Sequence, residues 1–264
     1  VGAWNGDSTS EIILESGATA NFSQQVGNAG TVTVGGTNRT LSSKGGLLNF
    51  GSANVIGSTA VFGVTGNTTA TGLFRVGNGA THRGAGTTTT QSDVEYDGKL
   101  DGRNLIAQGA TTAFQITLQN NAVFDNRGTL SLFNFGTPNT VTGTGIFRNA
   151  ATLLQSDLFG PSPNTISATF EQTATGTTTV GSELTLNGNS TIAGSVTIPV
   201  GTPLTLGAGA TDTISNLTGT ITGRGTFEVA GNTVTGANRS ATVDGAGAGP
   251  SATVTGSISL TGRK

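Results

Sequence analysis

The chain of 264 residues has no cysteine and no methionine, and one each of tryptophan, tyrosine and histidine. Without cysteine there can be neither a disulfide nor a thiolate metal site. Charged residues are 10 % of the total, where an average soluble domain carries roughly 25 %. The 12 lysines and arginines are scattered, with Arg263-Lys264 the one adjacent pair, and the net charge is −2; phosphate recognition needs clustered cations, so nucleic acid is a poor partner. No apolar run approaches the ~18 residues of a membrane-spanning helix. Helices are disfavoured throughout, because apolar residues nowhere recur with helical period free of glycine or β-branched clusters. There is no initiator methionine and no signal pattern, so Val1 reads as a mature or trimmed end.

What fills the chain is glycine, 43 residues of it, with threonine, asparagine, valine and isoleucine. Disordered chains are poor in β-branched residues and rich in charge; this one has the text of many short strands joined by tight turns. Such strands read at Ile12-Ile13-Leu14, Thr31-Val32-Thr33-Val34, Leu47-Leu48-Asn49-Phe50, Val61-Phe62-Gly63-Val64 and Leu73-Phe74-Arg75-Val76. Trp4, before a turn dipeptide, suits either a lid over an exposed end or ordinary packing. Residues 80–104 break the pattern: Gly79 to Gly86 and Thr87 to Thr90 read as a loop, with His82 a solvated loop residue, and Ser92 to Gly98 as a strand and turn. Gly160-Pro161-Ser162-Pro163-Asn164 reads as a protruding turn, since proline cannot donate to a sheet ladder. Residues 251–264 read as a strand hinged at Gly245 to Pro250.

A register emerges from Phe124 onward. Phe124, Phe147 and Phe170 are 23 residues apart both times, each followed two residues on by an amide: Asn126, Asn149 and Gln172. A fixed period in the 20s marks a solenoid, because one short unit cannot bury its apolar face except against a copy of itself. The expected fold is therefore an all-β parallel β-helix with about 23 residues per rung and three short strands per rung, a single elongated domain over 1–264 of roughly eleven rungs. The phenylalanines should stack in one inward column. The amides beside them should form a ladder, each donating to the next and satisfying turn backbone.

Gly143-Thr144-Gly145-Ile146-Phe147-Arg148-Asn149, Gly223-Arg224-Gly225-Thr226-Phe227 and Thr185-Leu186-Asn187-Gly188-Asn189 resemble the Gly-x-Gly-x-apolar and Thr-Leu-x-Gly-Asn units of bacterial autotransporter passenger domains and related right-handed β-helix surface proteins. The likeness covers residues 105–235 best, and the regular Lys-x-Gly-x-Gly unit of autotransporter-associated repeats is missing. The resemblance implies export, a cell-surface or extracellular setting, and a role in adhesion or matrix structure.

Sites for chemistry are few. Asp93, Glu95, Asp97 and Asp101 have part of the spacing of a calcium loop, but position 12 is Asn104 rather than glutamate. The competing reading is a strand with Val94 and Tyr96 inward and the acids in water; it is favoured, and no other cofactor is expected. A polysaccharide-binding or polysaccharide-cleaving enzyme is the alternative function, needing carboxylates or a basic residue on one face; Asp93, Asp97, Asp101 and Arg103, with His82, are the only dense set. One tryptophan and one tyrosine leave little to stack on glycans. Ice binding is a third class, since a flat Thr-x-Thr array can order water, but Thr31-Val32-Thr33 and Thr177-Thr178-Thr179 do not recur at the rung spacing. The leading expectation is a structural or adhesive extracellular solenoid whose partner is itself. Unpaired strand edges offer a template for another copy, either head to tail or by insertion of the C-terminal strand through Ser251, Val254, Ile258 and Leu260.

Overall fold

The computed structural model describes residues 51–134, 140–157 and 163–206, together with the strands, Gly219 and Gly225 within 1–50 and 207–264. Among the described residues there is no helix, and hence none long and apolar enough to cross a membrane. The chain divides into two compact units, Val1–Gly128 and Thr129–Lys264. Each is a parallel β-solenoid of short strands, as the glycine-punctuated β-branched text requires.

In the first unit one register runs through seven levels, Trp4, Val26, Leu48, Thr68, Thr88, Leu105 and Phe124, each paired in parallel with the next. Three strand segments make a rung: after Thr87–Thr90 come Val94 to Tyr96 and Gly98 to Asp101, separated by a register shift at the corner, and Asn104–Ala107 opens the next rung. Other columns are Phe62, His82, Leu100 and Leu118, and Phe74, Val94 and Thr111. The side chains of these two columns are all buried.

The second unit follows the same plan. Thr129, Thr152, Thr177, Ser195, Thr220 and Ser240 share one register, and Leu184, Leu204 and Phe227 another. Phe147 stacks on Phe170 as the spacing predicts, with ring centroids 6.0 Å apart. Phe124 belongs to the first unit, where it lies over Leu105 and meets Tyr96 edge-on at 5.4 Å.

The 23-residue step holds where it was read, at Thr129 to Thr152 and Ile146 to Thr169. Elsewhere the step ranges from 17 residues (Thr87 to Asn104) to 25 (Thr152 to Thr177). The strands stay in register because the turns absorb the difference.

Residues 80–104 are not a loop. They complete strand Phe74–Arg83, supply strands Thr87–Thr90 and Val94–Asp101, and begin Asn104–Ala107. The Thr87–Thr90 run is a strand because threonine is β-branched, and its inward hydroxyls, Thr88 and Thr90, both find partners. Of the tail, Ala252–Val254 is a strand in register on Phe227, Glu228 and Val229 of its own unit. Ser251, Ile258, Leu260, the Gly245–Pro250 hinge and Gly160 to Ser162 lie outside the described residues.

Candidate functional site

The densest polar chemistry of the first unit sits inside the coil, at the corner before Asn104. Arg103 is 1 % exposed and spends all five of its N–H donors. Nε donates to Thr88 Oγ1 at 2.7 Å. Nη1 donates to the carbonyls of Val64 and Ala85, and Nη2 to Gly66 O and Thr68 Oγ1, each at 2.9 Å. These acceptors belong to the two rungs that precede the arginine, so one side chain ties three levels together. The turns that present the carbonyls are stacked tightly: at Gly84 (φ +109°) and Gly86 (φ +110°) a Cβ would collide with the carbonyl oxygens of Val64 and Gly66. Glycine at these two positions permits both the positive φ and the close approach.

No carboxylate touches Arg103 among the described residues. Burial pulls its pKa down to about 10, which leaves it a cation at neutral pH. Bare burial of such a charge would cost several kcal/mol; charge-assisted hydrogen bonds to carbonyl and hydroxyl oxygens offset that cost.

His82 adjoins this cluster. It is fully buried, with its ring centroid 5.4 Å from that of Phe62 and 5.2 Å from that of Phe74. Its Nε2 is 3.1 Å from Thr88 Oγ1. Since that oxygen already accepts from Arg103, the Thr88 hydrogen is free to donate to Nε2, which fits a neutral ring protonated at Nδ1. Nδ1 has no hydrogen-bond partner among the described residues. Burial first, and the Arg103 charge second, hold the His82 pKa well below the ordinary value. The solvated loop histidine expected from the sequence is thus a core residue, because the backbone around it is strand and position 82 faces inward.

The sheet wall separates the residues of the catalytic set. Along Val94–Asp101 the inward positions are Val94, Tyr96, Gly98 and Leu100, so Glu95, Asp97 and Asp101 face outward, with Asp93 exposed just before them. His82 and Arg103 lie within the coil, on the other side of that wall. Nor do the acids gather around a cation: alternate residues of a strand sit about 6.6–6.8 Å apart. Glu95 pairs with Arg75 at 2.8 Å, and Asp101 accepts from Asn120 Nδ2 at 2.5 Å. Among the described residues no three acidic or histidine side chains are placed to hold a metal ion. Calcium at 93–101 is therefore not proposed; an extended strand spreads the ligands that a loop would converge.

In the second unit the buried polar side chains, among the described residues, are neutral amides and hydroxyls. Asn149 and Gln172 are adjacent in register as expected, and both donate to backbone carbonyls of the coil. Asn149 Nδ2 reaches Thr177 O at 2.9 Å, and Gln172 Nε2 reaches Gly176 O at 3.0 Å and Ser195 O at 2.9 Å. Thr178 Oγ1 donates to Gln172 Oε1 at 2.6 Å. Gln155, not singled out from sequence, does the same work: it donates to Ser182 Oγ and accepts from Ser182 N at 2.6 Å. Asn126, in the first unit, accepts from Gly128 N at 3.2 Å.

Neither family models, nor curated proteins, nor solved structures yield a match to this chain.

Proposed function

We propose that this chain is a structural or adhesive β-solenoid of a cell surface or extracellular matrix, associating with copies of itself. The observation that carries the reading is where the polar chemistry is spent. Arg103 commits every donor to the carbonyls and hydroxyls of its own coil, and the buried amides of Asn149 and Gln172 donate to backbone carbonyls of theirs. Groups so engaged brace rungs against one another and have no donor to offer a substrate. The rings of Phe62, Phe74, Tyr96, Phe124, Phe147 and Phe170 are buried as well, so they offer no platform on which a sugar could stack. The extracellular setting rests on composition and on the resemblance of 105–235 to passenger domains.

Electron microscopy of the purified chain over a concentration series tests self-association. Filaments are expected; monodisperse particles at every concentration would sink the reading. Removing residues 250–264 separates the modes. Strand insertion would have to release Ala252–Val254 from Phe227–Val229, so filaments that persist after the deletion assign the contact elsewhere.

A further inference from the structure

Variable rung length hides a repeat on the surface of the second unit. Thr177 and Thr179 pair in register with Ser195 and Thr197, which pair with Thr220 and Thr222, which pair with Ser240 and Thr242. The steps are 18, 25 and 20 residues, so the Thr-x-Thr units do recur rung by rung, contrary to the reading at constant spacing. The residues between them, Thr178, Val196 and Ile221, are buried. Thr177, Ser195, Thr197 and Thr222 are exposed and Thr179 is half-buried. Strand geometry sets the grid: about 4.8 Å between rungs and about 6.7 Å between alternate residues along a strand. On the rung before, Thr152 pairs in register with Thr177, and their Oγ1 atoms stand 3.5 Å apart.

The grid carries no charge of either sign at any of these positions. It has no cation for a phosphate, and no aromatic or arginine anchor of the kind that carries a protein interface. What it offers is two columns of hydroxyls with methyl groups between them. Fixing one water molecule costs up to about 2 kcal/mol of entropy. In ice that ordering is already present, and on a prism face the oxygen lattice of hexagonal ice repeats at nearly the two distances of this grid. Such a face therefore gains many commensurate hydrogen bonds from ice and few lasting ones from liquid water.

We propose that the sheet bearing Thr177, Thr179, Ser195, Thr197 and Thr222 binds the surface of ice. This builds on the adhesive reading by naming a target, yet a monomer must show it whether or not filaments form, so the two fail separately. The test is thermal hysteresis and ice-crystal shaping by the purified full chain. Faceted crystals and measurable hysteresis are expected. Thr197→Lys, at the centre of the grid, should reduce hysteresis about tenfold at equal concentration with circular dichroism and melting unchanged, while Gln115→Lys, at an exposed strand position of the first unit, should leave it intact. Round, freely growing crystals from the folded protein would overturn the proposal, as would equal loss in both variants. A Thr197→Lys effect that appears only as dissociation of a dimer would assign the face to a second copy and overturn it equally.

Discussion

The two units solve one problem with different chemistry. A coil of short strands has a turn at every corner, and each turn that packs inward brings carbonyls whose desolvation must be offset. The first unit meets part of this with one cation, Arg103, whose five donors serve levels 64–68 and 85–88 at once. The second distributes the task over Asn149, Gln155 and Gln172, each neutral and each tied to the rungs beside it. A concentrated brace couples several rungs but makes them depend on one side chain and one charge. A distributed brace has no such single point of failure and no sensitivity to pH.

Arg103→Met puts the largest load on this contrast. Methionine fills much of the same volume but leaves three carbonyls and two hydroxyls without the donor they face. Removing one side of a buried charged network costs on the order of 3–5 kcal/mol, so the first unit should unfold at clearly lower urea while the second keeps its own transition. Arg103→Lys should recover only part of the loss, since three donors on a flexible stem cannot reproduce a planar fork. A midpoint unchanged in Arg103→Met would show that the cluster braces nothing.

Gln172→Leu is the matching break in the second unit. It removes two bonds to backbone carbonyls and the acceptor of Thr178, for a cost of about 1–3 kcal/mol, and the loss should be the same from pH 5 to pH 8. A loss as large as that of Arg103→Met would erase the distinction between concentrated and distributed bracing.

The fold was legible because its signals are local and repeated: β-branched runs, glycine corners, and a 23-residue step carried by Phe147 over Phe170. The same reliance on constant spacing explains two misreadings. The surface Thr-x-Thr column went unseen because its steps are unequal, and the step at Thr87 to Asn104 is so short that 80–104 looked irregular. His82 and Arg103 stand out in the sequence only as neighbours of the acids at 93–101. Nothing in Gly102-Arg103-Asn104 says that the side chain points inward; that follows from which carbonyls the preceding two rungs present. Gln155 sits in Leu153-Leu154-Gln155, where an amide at an inward position of an apolar strand was the available hint.

The smallest expected effect isolates the charge in the first unit. His82 is held neutral by burial and by Arg103, so its folded pKa lies below the unfolded value of about 6.5. The unfolded chain then binds more protons at acid pH, and stability must fall as pH drops below about 6.5. The fall cannot exceed about 1.4 kcal/mol per pH unit for one group. It is fully absent above pH 7.5. Histidine is the side chain whose ordinary pKa falls in this window, and the chain has no other, so the range from pH 7 to 5.5 reports this ring. His82→Phe keeps the aromatic stack with Phe62 and Phe74 but carries no proton. It should cost some stability at pH 8, because the Thr88 hydroxyl loses its acceptor, and should flatten the pH dependence of the urea midpoint between 7 and 5.5. A wild-type midpoint that is already flat over that range would mean that the ring can charge in place beside Arg103, and the concentrated brace would then be no more acid-sensitive than the amides of the second unit.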